Sequence, residues 1–166
     1  MFIDWSAETV ALLLEAGESA YNAQFFDTTL RTSLDLWMAD RLFSRRPALA
    51  STVTLTLAGT PGAVIPAGSR VRHAGNQSSW ALDASATIGG GGTVTAAFTC
   101  TTKGPIEASA GSTWVIESVV SGWSGATNAA AATPGRLVET DAQFKARYRS
   151  AIQLGALGAA LLKLDG

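Results

Sequence analysis

The residues able to do covalent or acid–base chemistry near neutral pH are few and scattered. The chain has one histidine, His73, and one cysteine, Cys100. A nucleophilic cysteine needs a base and an oxyanion hole. Cys100 instead shares strand parity with Val94, Ala96 and Phe98, which reads as an inert core thiol. His73 has the parity of Val71 and reads as a half-buried or surface histidine. One histidine cannot build a His-rich metal site, and no Gly-x-Ser-x-Gly elbow supports a Ser-His-Asp triad. Asp83, Glu107 and Glu117 are the carboxylates between residues 48 and 135. A carboxylate pair on a β scaffold could cleave glycosides, but nothing in their spacing places two together, so they read as solvated positions. No Asp/Asn/Gly cluster resembles a calcium loop. Gly89 to Gly92 leads into Thr93-Val94-Thr95, a strand pattern, whereas a phosphate cradle leads into a helix. Trp80, Trp114 and Trp123 could form a sugar-binding platform. Apolar alternation around Trp80 and Trp114 assigns them to a core. Trp123, between Ser121-Gly122 and Ser124-Gly125, is expected to be the most exposed of the three. No cofactor or metal is expected.

The elements that carry these residues divide by charge. Residues 1–47 hold eleven charged side chains, residues 48–135 hold six and residues 136–166 hold eight. The chain has 166 residues with 47% hydrophobic, room for a core in one domain or two small ones. Charged residues make up 15% and the net charge is -1, against a typical ~25% charged. That balance argues against a nucleic-acid binder with a basic face. So few charges imply that other protein chains cover part of the surface. A single cysteine allows no internal disulfide. The N-terminus has no basic n-region, and the longest apolar run, Val10 to Leu14, is far short of the ~20 residues of a membrane span. The expectation is a soluble chain, intracellular at synthesis, with no membrane, nucleic-acid or small-molecule partner.

Residues 1–47 read as helical. Ser6 can cap a helix with Val10, Leu13 and Leu14 on one face, ended or weakened at Gly17. A second helix is expected from Asp27 or Thr28, with Leu30, Leu34, Trp37, Met38 and Leu42 as an amphipathic stripe. Pro47 marks a boundary. Residues 48–130 read as an antiparallel β domain, with strands at 52–57, 69–73, around Trp80 and Leu82, 93–101 and 113–120. Residues 131–166 read as a linker and a C-terminal helical segment. There Thr140-Asp141-Ala142-Gln143 is a capping box and Phe144, Tyr148 and Ile152 repeat every four residues. Gly155 and Gly158 are expected to kink or interrupt that helix before a short one over 156–164. The predicted fold class is α+β: a small antiparallel sandwich or barrel-like domain flanked by helices.

In order and spacing, several segments resemble a known family. Arg46-Pro47-Ala48 leads into Thr52-Val53-Thr54-Leu55, followed by Ile65-Pro66-Ala67-Gly68-Ser69-Arg70-Val71 and Trp80-Ala81-Leu82-Asp83. Then come Gly104-Pro105-Ile106-Glu107-Ala108, Asn128-Ala129-Ala130, Pro134-Gly135 and the block from Glu139-Thr140-Asp141 to Arg147. Over roughly residues 45–150 the chain resembles the phage baseplate J-like family, wedge proteins of contractile tails. The resemblance implies a structural, non-enzymatic protein of the virion tail baseplate, assembled in the bacterial host cytoplasm. It further implies association with copies of itself and with other wedge proteins, and a longer chain continuing into a further domain.

The amphipathic ends, together with Trp123 of the β domain, supply candidate subunit contacts: Leu30, Leu34, Trp37, Met38, Leu42, Trp123, Phe144 and Tyr148. The alternative is a carbohydrate-binding β-sandwich module using Trp123 and Trp114. The scattered chemistry predicts no turnover of ester, peptide or glycoside substrates. Turnover that disappeared in Asp83→Asn or Glu107→Gln would contradict this reading.

Overall fold

Alternating hydroxyl and apolar residues produce the longest strands. A computed structural model describes residues 4–22, 25, 26 and 28–162. Its strands are β1 (Ala50–Gly59), β2 (Val64–Ile65), β3 (Arg70–His73), β4 (Ser79–Leu82), β5 (Ala86–Thr87), β6 (Thr93–Lys103), β7 (Trp114–Ile116) and β8 (Trp123–Thr127). Six of them form one sheet in the order β7-β3-β4-β6-β1-β8, and β2 pairs with β5 separately. Every pairing is antiparallel.

Register turns the alternation into a core. Cross-strand partners share a face, so Val53 opposite Phe98, Leu57 opposite Val94 and Ala126, and Trp80 opposite Val71 and Cys100 point inward together. Leu55, Leu57, Val71, Trp80 and Phe98 are fully buried, as Cys100 nearly is. Burying a side chain the size of Phe98 stabilises by about 1.5–3 kcal/mol. On the other face of β1 and β6 stand threonines and alanines: Thr52 opposite Thr99, Thr54 opposite Ala97, Thr56 opposite Thr95.

The two edges of the six-stranded sheet are brought together by one side chain, leaving a nearly closed barrel. Asn128, just after β8, is 2% exposed. Its Oδ1 accepts the Trp114 indole N–H at 3.0 Å and its backbone oxygen accepts the Gly111 N–H at 2.8 Å. Its Nδ2 donates to the Ser109 and Ala130 carbonyls at 2.7 and 2.9 Å. The fold is α+β and barrel-like, as the composition pattern predicts.

The described chain forms two compact units. Residues 47–138 make the β unit, and the residues up to Arg46 together with those from Glu139 onward make the helical unit. Residues 131–138 join the β unit because Thr133 pairs with Thr52 and Arg136 with Leu49. The helical unit contains α1 (Asp4–Asn22), α2 (Arg31–Ala39) and α3 (Asp141–Leu162).

Several local expectations are corrected. The strand expected over 113–120 ends at Ile116, where the Glu117 and Ser118 N–H groups both turn to the Arg70 carbonyl. β8 was not predicted, since its Ser-Gly-Ala centre lacks strand-forming residues. α1 begins at Asp4, ahead of Ser6, and runs through Gly17. α2 begins at Arg31, later than expected; Asp27, one of the two proposed starts, lies outside the described residues. α3 passes unbroken through Gly155 and Gly158 to Leu162; Leu164 lies outside the described residues. The capping box forms as read: the Thr140 N–H donates to Gln143 Oε1 at 3.0 Å and the Gln143 N–H to Thr140 Oγ1 at 3.3 Å.

Asn128→Ala should cost about 1–3 kcal/mol in urea unfolding, because it strands the buried Trp114 N–H and the carbonyls Asn128 serves. Ser124→Ala, at an exposed position of β8, serves as the control and should be near neutral. Equal effects of the two substitutions would contradict the role assigned to Asn128.

Candidate functional site

The β unit gathers no reactive constellation. His73 Nδ1 accepts the Asn76 N–H at 3.1 Å, and its ring meets Trp114 edge-on at 5.2 Å. Cys100 is buried. Glu117 pairs with Arg72 at 3.4 Å and accepts the Ser79 hydroxyl at 2.8 Å, so it is engaged in a surface ion pair. Among the described residues, no group of three His, Cys, Asp or Glu could hold a metal. Gly89 to Gly92 closes a tight turn into β6, with the Gly92 N–H on the Gly89 carbonyl at 2.9 Å and Gly92 at φ +76°.

The expected exposure of Trp123 is overturned. Trp123 is 8% exposed, as is Trp114, and Trp80 is fully buried. The Trp123 Nε1–H is spent on the Gly125 carbonyl at 2.9 Å. None of the three presents an open ring face, so the carbohydrate platform lacks its stacking surface.

The helical unit is where side chains converge. Leu34 and Met38 of α2 and Phe144 of α3 are fully buried against one another, with Phe26, Trp37, Phe43 and Tyr148 packed around them. Phe43 stacks on Phe144 at 5.8 Å, and Tyr148 meets Phe43 edge-on at 5.4 Å. The predicted stripe therefore divides. Its centre is occupied within the chain, whereas Leu30 is 59% exposed and Leu42 97% exposed. The split has a backbone cause. α2 stops at Ala39, the chain turns through Arg41 and Leu42, and the Phe43 N–H returns to the Met38 carbonyl at 3.1 Å. Leu42 takes φ +55°, which sends its side chain outward.

An ionic layer ties these segments together. Arg45 donates to Asp35 at 2.7 and 2.9 Å, to Asp141 at 2.7 Å and to the Glu139 carbonyl at 2.6 Å. Arg147 holds Glu139 through two parallel bonds of 2.8 Å and also reaches the Ser44 carbonyl at 2.7 Å. Glu139 accepts the Arg46 N–H at 3.0 Å as well. Its side chain is 7% exposed against 24% for Arg147. The Arg147 guanidinium, and then the Arg46 N–H, outweigh burial and hold the Glu139 carboxyl down to about 2. Asp141 is also lowered, first by the Arg31 N–H and then by Arg45. Phe26 and Phe43 carry no local sequence signal, because their partners Phe144 and Tyr148 are remote in the chain; Glu139 lies in the block that carries the resemblance, but its bond to Arg147, eight residues on, follows no helical spacing.

A depressed carboxyl contributes stability that is complete above its ordinary value of 4.5 and is lost as pH falls toward about 2. Glu139→Gln should cost about 3 kcal/mol at neutral pH, the lower end for breaking a buried pair, since Arg147 keeps some water. It should also flatten the loss of stability between pH 4.5 and 2. Denaturant unfolding across that range checks both, and an unchanged pH slope would contradict the assignment.

The arrangement is one of packing and anchoring, with apolar side chains left outside. Comparison with known proteins agrees with that character. The family model described as the baseplate J-like protein barrel domain matches residues 52–135, about half of the chain and nearly the whole β unit. No curated protein matches the chain. The near-closed antiparallel barrel and this match together mean that the chain belongs to the baseplate J-like family, whose role is a structural one in the phage tail baseplate.

Proposed function

We propose that the chain is a wedge component of a contractile phage tail, assembled in the host cytoplasm, that joins copies of itself and other wedge subunits around the tail hub. The observation that carries this reading is the coincidence of the family match, residues 52–135, with the folded β unit, residues 47–138. In this reading the barrel is the body of the subunit, does no chemistry, and the helical unit makes contacts.

Among the candidate contact residues, the exposed ones carry the proposal. Leu42 is 97% exposed and sits at φ +55°. A left-handed backbone costs a residue with a Cβ roughly 1–2 kcal/mol, and Leu42 recovers nothing by burial within the chain. A contact with another subunit supplies that recovery. Leu30, 59% exposed, and the outer edges of half-buried Trp37 and Tyr148 extend the same candidate surface. Leu34, Met38 and Phe144 act beneath it by holding α2 to α3. Trp123 serves the barrel core.

Sedimentation of the full chain at rising concentration tests the proposal. Leu30→Ser with Leu42→Asn should weaken association by about tenfold or more, the loss expected from removing two apolar contacts. Thermal unfolding should keep its midpoint. Association that survives both changes would contradict the contact surface.

A further inference from the structure

The start of α2 runs against its own sequence. Arg31, its first residue, takes φ +50°, a left-handed backbone that a residue with a Cβ disfavours. Leu30 before it is extended, at φ -133° and ψ 157°, and its side chain supplies no cap. The Arg31 N–H goes instead to Asp141 Oδ2 at 3.0 Å, from the first residue of α3. Thr29 is of a type that caps helices, yet it is 1% exposed and its Oγ1 finds no hydrogen-bond partner among the described residues. A helix begun one residue earlier, with Thr29 as its cap, places Arg31 at the second helical position. A capping oxygen accepts the N–H of the second or third helical residue. Thr29 Oγ1 and Asp141 Oδ2 are therefore alternative acceptors for one N–H. The earlier start also returns Arg31 to right-handed backbone. It sets Leu30 in line with the buried Leu34 and Met38, at i, i+4 and i+8.

We propose that α2 is a two-state element whose start is selected by Asp141. Bound to the Arg31 N–H, Asp141 holds the late start and keeps Leu30, 59% exposed, outside. When Asp141 releases that N–H, Thr29 caps the helix and Leu30 folds onto the stripe. The other oxygen of Asp141 is held by Arg45 at 2.7 Å, so a displacement of Arg45 or of the first turn of α3 reaches Leu30. Whatever favours one start shifts the population toward it. This inference deepens the contact surface proposed above and rests on that reading for its consequence: the late start presents Leu30 to another subunit, and the early start withdraws it.

The test uses the full chain carrying Leu30→Cys, diluted below association, and follows labelling at position 30 by a thiol reagent. Cys100 is buried, so its labelling reports unfolding of the β unit. Asp141→Ala should slow labelling at position 30 by about tenfold, the population shift that loss of one charged hydrogen bond supplies. Thr29→Val alone should leave the labelling rate unchanged, because the hydroxyl is idle in the late start. Added to Asp141→Ala, it should restore fast labelling, because the early start then lacks its cap. Where Asp141→Ala loosens the helical unit, seen as lost helical circular dichroism, Asp141→Asn carries the test and should slow labelling to a smaller degree. Faster or unchanged labelling in both Asp141 variants would overturn the proposal, as would slow labelling that persists with Thr29→Val. Sedimentation of the same variants with Leu30 retained reads the contact surface separately: association should fall with Asp141→Ala and return with Thr29→Val. Slowed labelling with unchanged association would overturn the surface at Leu30 and leave the two starts standing.

Discussion

The β unit depends on its incoming and outgoing segments lying side by side. Leu49 exchanges two backbone bonds with Arg136, at 2.9 and 3.0 Å, and Thr52 exchanges two with Thr133, at 3.0 and 2.8 Å. Between them Ser51, fully buried, donates its hydroxyl to the Gly104 carbonyl at 2.9 Å and accepts the Gly135 N–H at 2.8 Å. One hydroxyl thus links its own stretch of chain to two others. The packing leaves no room at Gly135, where a Cβ would come 2.1 Å from the Leu49 carbonyl oxygen. Such a contact with backbone cannot be relieved by rotating a side chain. Adjacent ends are what allow one unit to be inserted within another. In the helical unit the same chain segments meet again, with the Glu139 N–H on the Arg46 carbonyl at 3.1 Å.

How much of this was legible follows from how local each cause is. β1, β3, β4 and β6 announce themselves because alternation is a property of adjacent residues. The capping box at Thr140 and Gln143 spans one helical turn and was equally plain. Trp123 misled because its neighbours are small and polar, although small neighbours are also what allows an indole to be covered. The stripe from Leu30 to Leu42 was read as one face because periodicity assumes a continuing helix. The left-handed turn at Leu42 ends that assumption. Ser51, Gly104, Asn128 and Gly135 were not legible as a structural set, since each acts on segments far away in sequence. Gly104, Asn128 and Gly135 lie in the motifs that carried the family resemblance, and in this chain they serve as backbone contacts and a buried amide.

The contrast between the two units is chemical. In the barrel, polar groups are consumed: the buried indoles, Asn128 and Ser51 all have partners, and the surface of β1 and β6 offers threonine and alanine. Nothing there concentrates charge or nucleophiles. In the helical unit, Arg45 and Arg147 draw three acidic side chains around an aromatic core, while α1 and the turn at Leu42 keep apolar side chains in water. Exposed apolar residues that contribute little to the fold are the residues expected to serve assembly.

The most direct measurement of the central claim is cross-linking with mass spectrometry on purified tail particles that contain this chain. The account predicts cross-links from the helical unit to baseplate subunits, including a second copy of the chain, with residues of the barrel interior unlabelled. Cross-links confined to tube, sheath or head proteins would contradict it, as would a chain absent from the assembled particle.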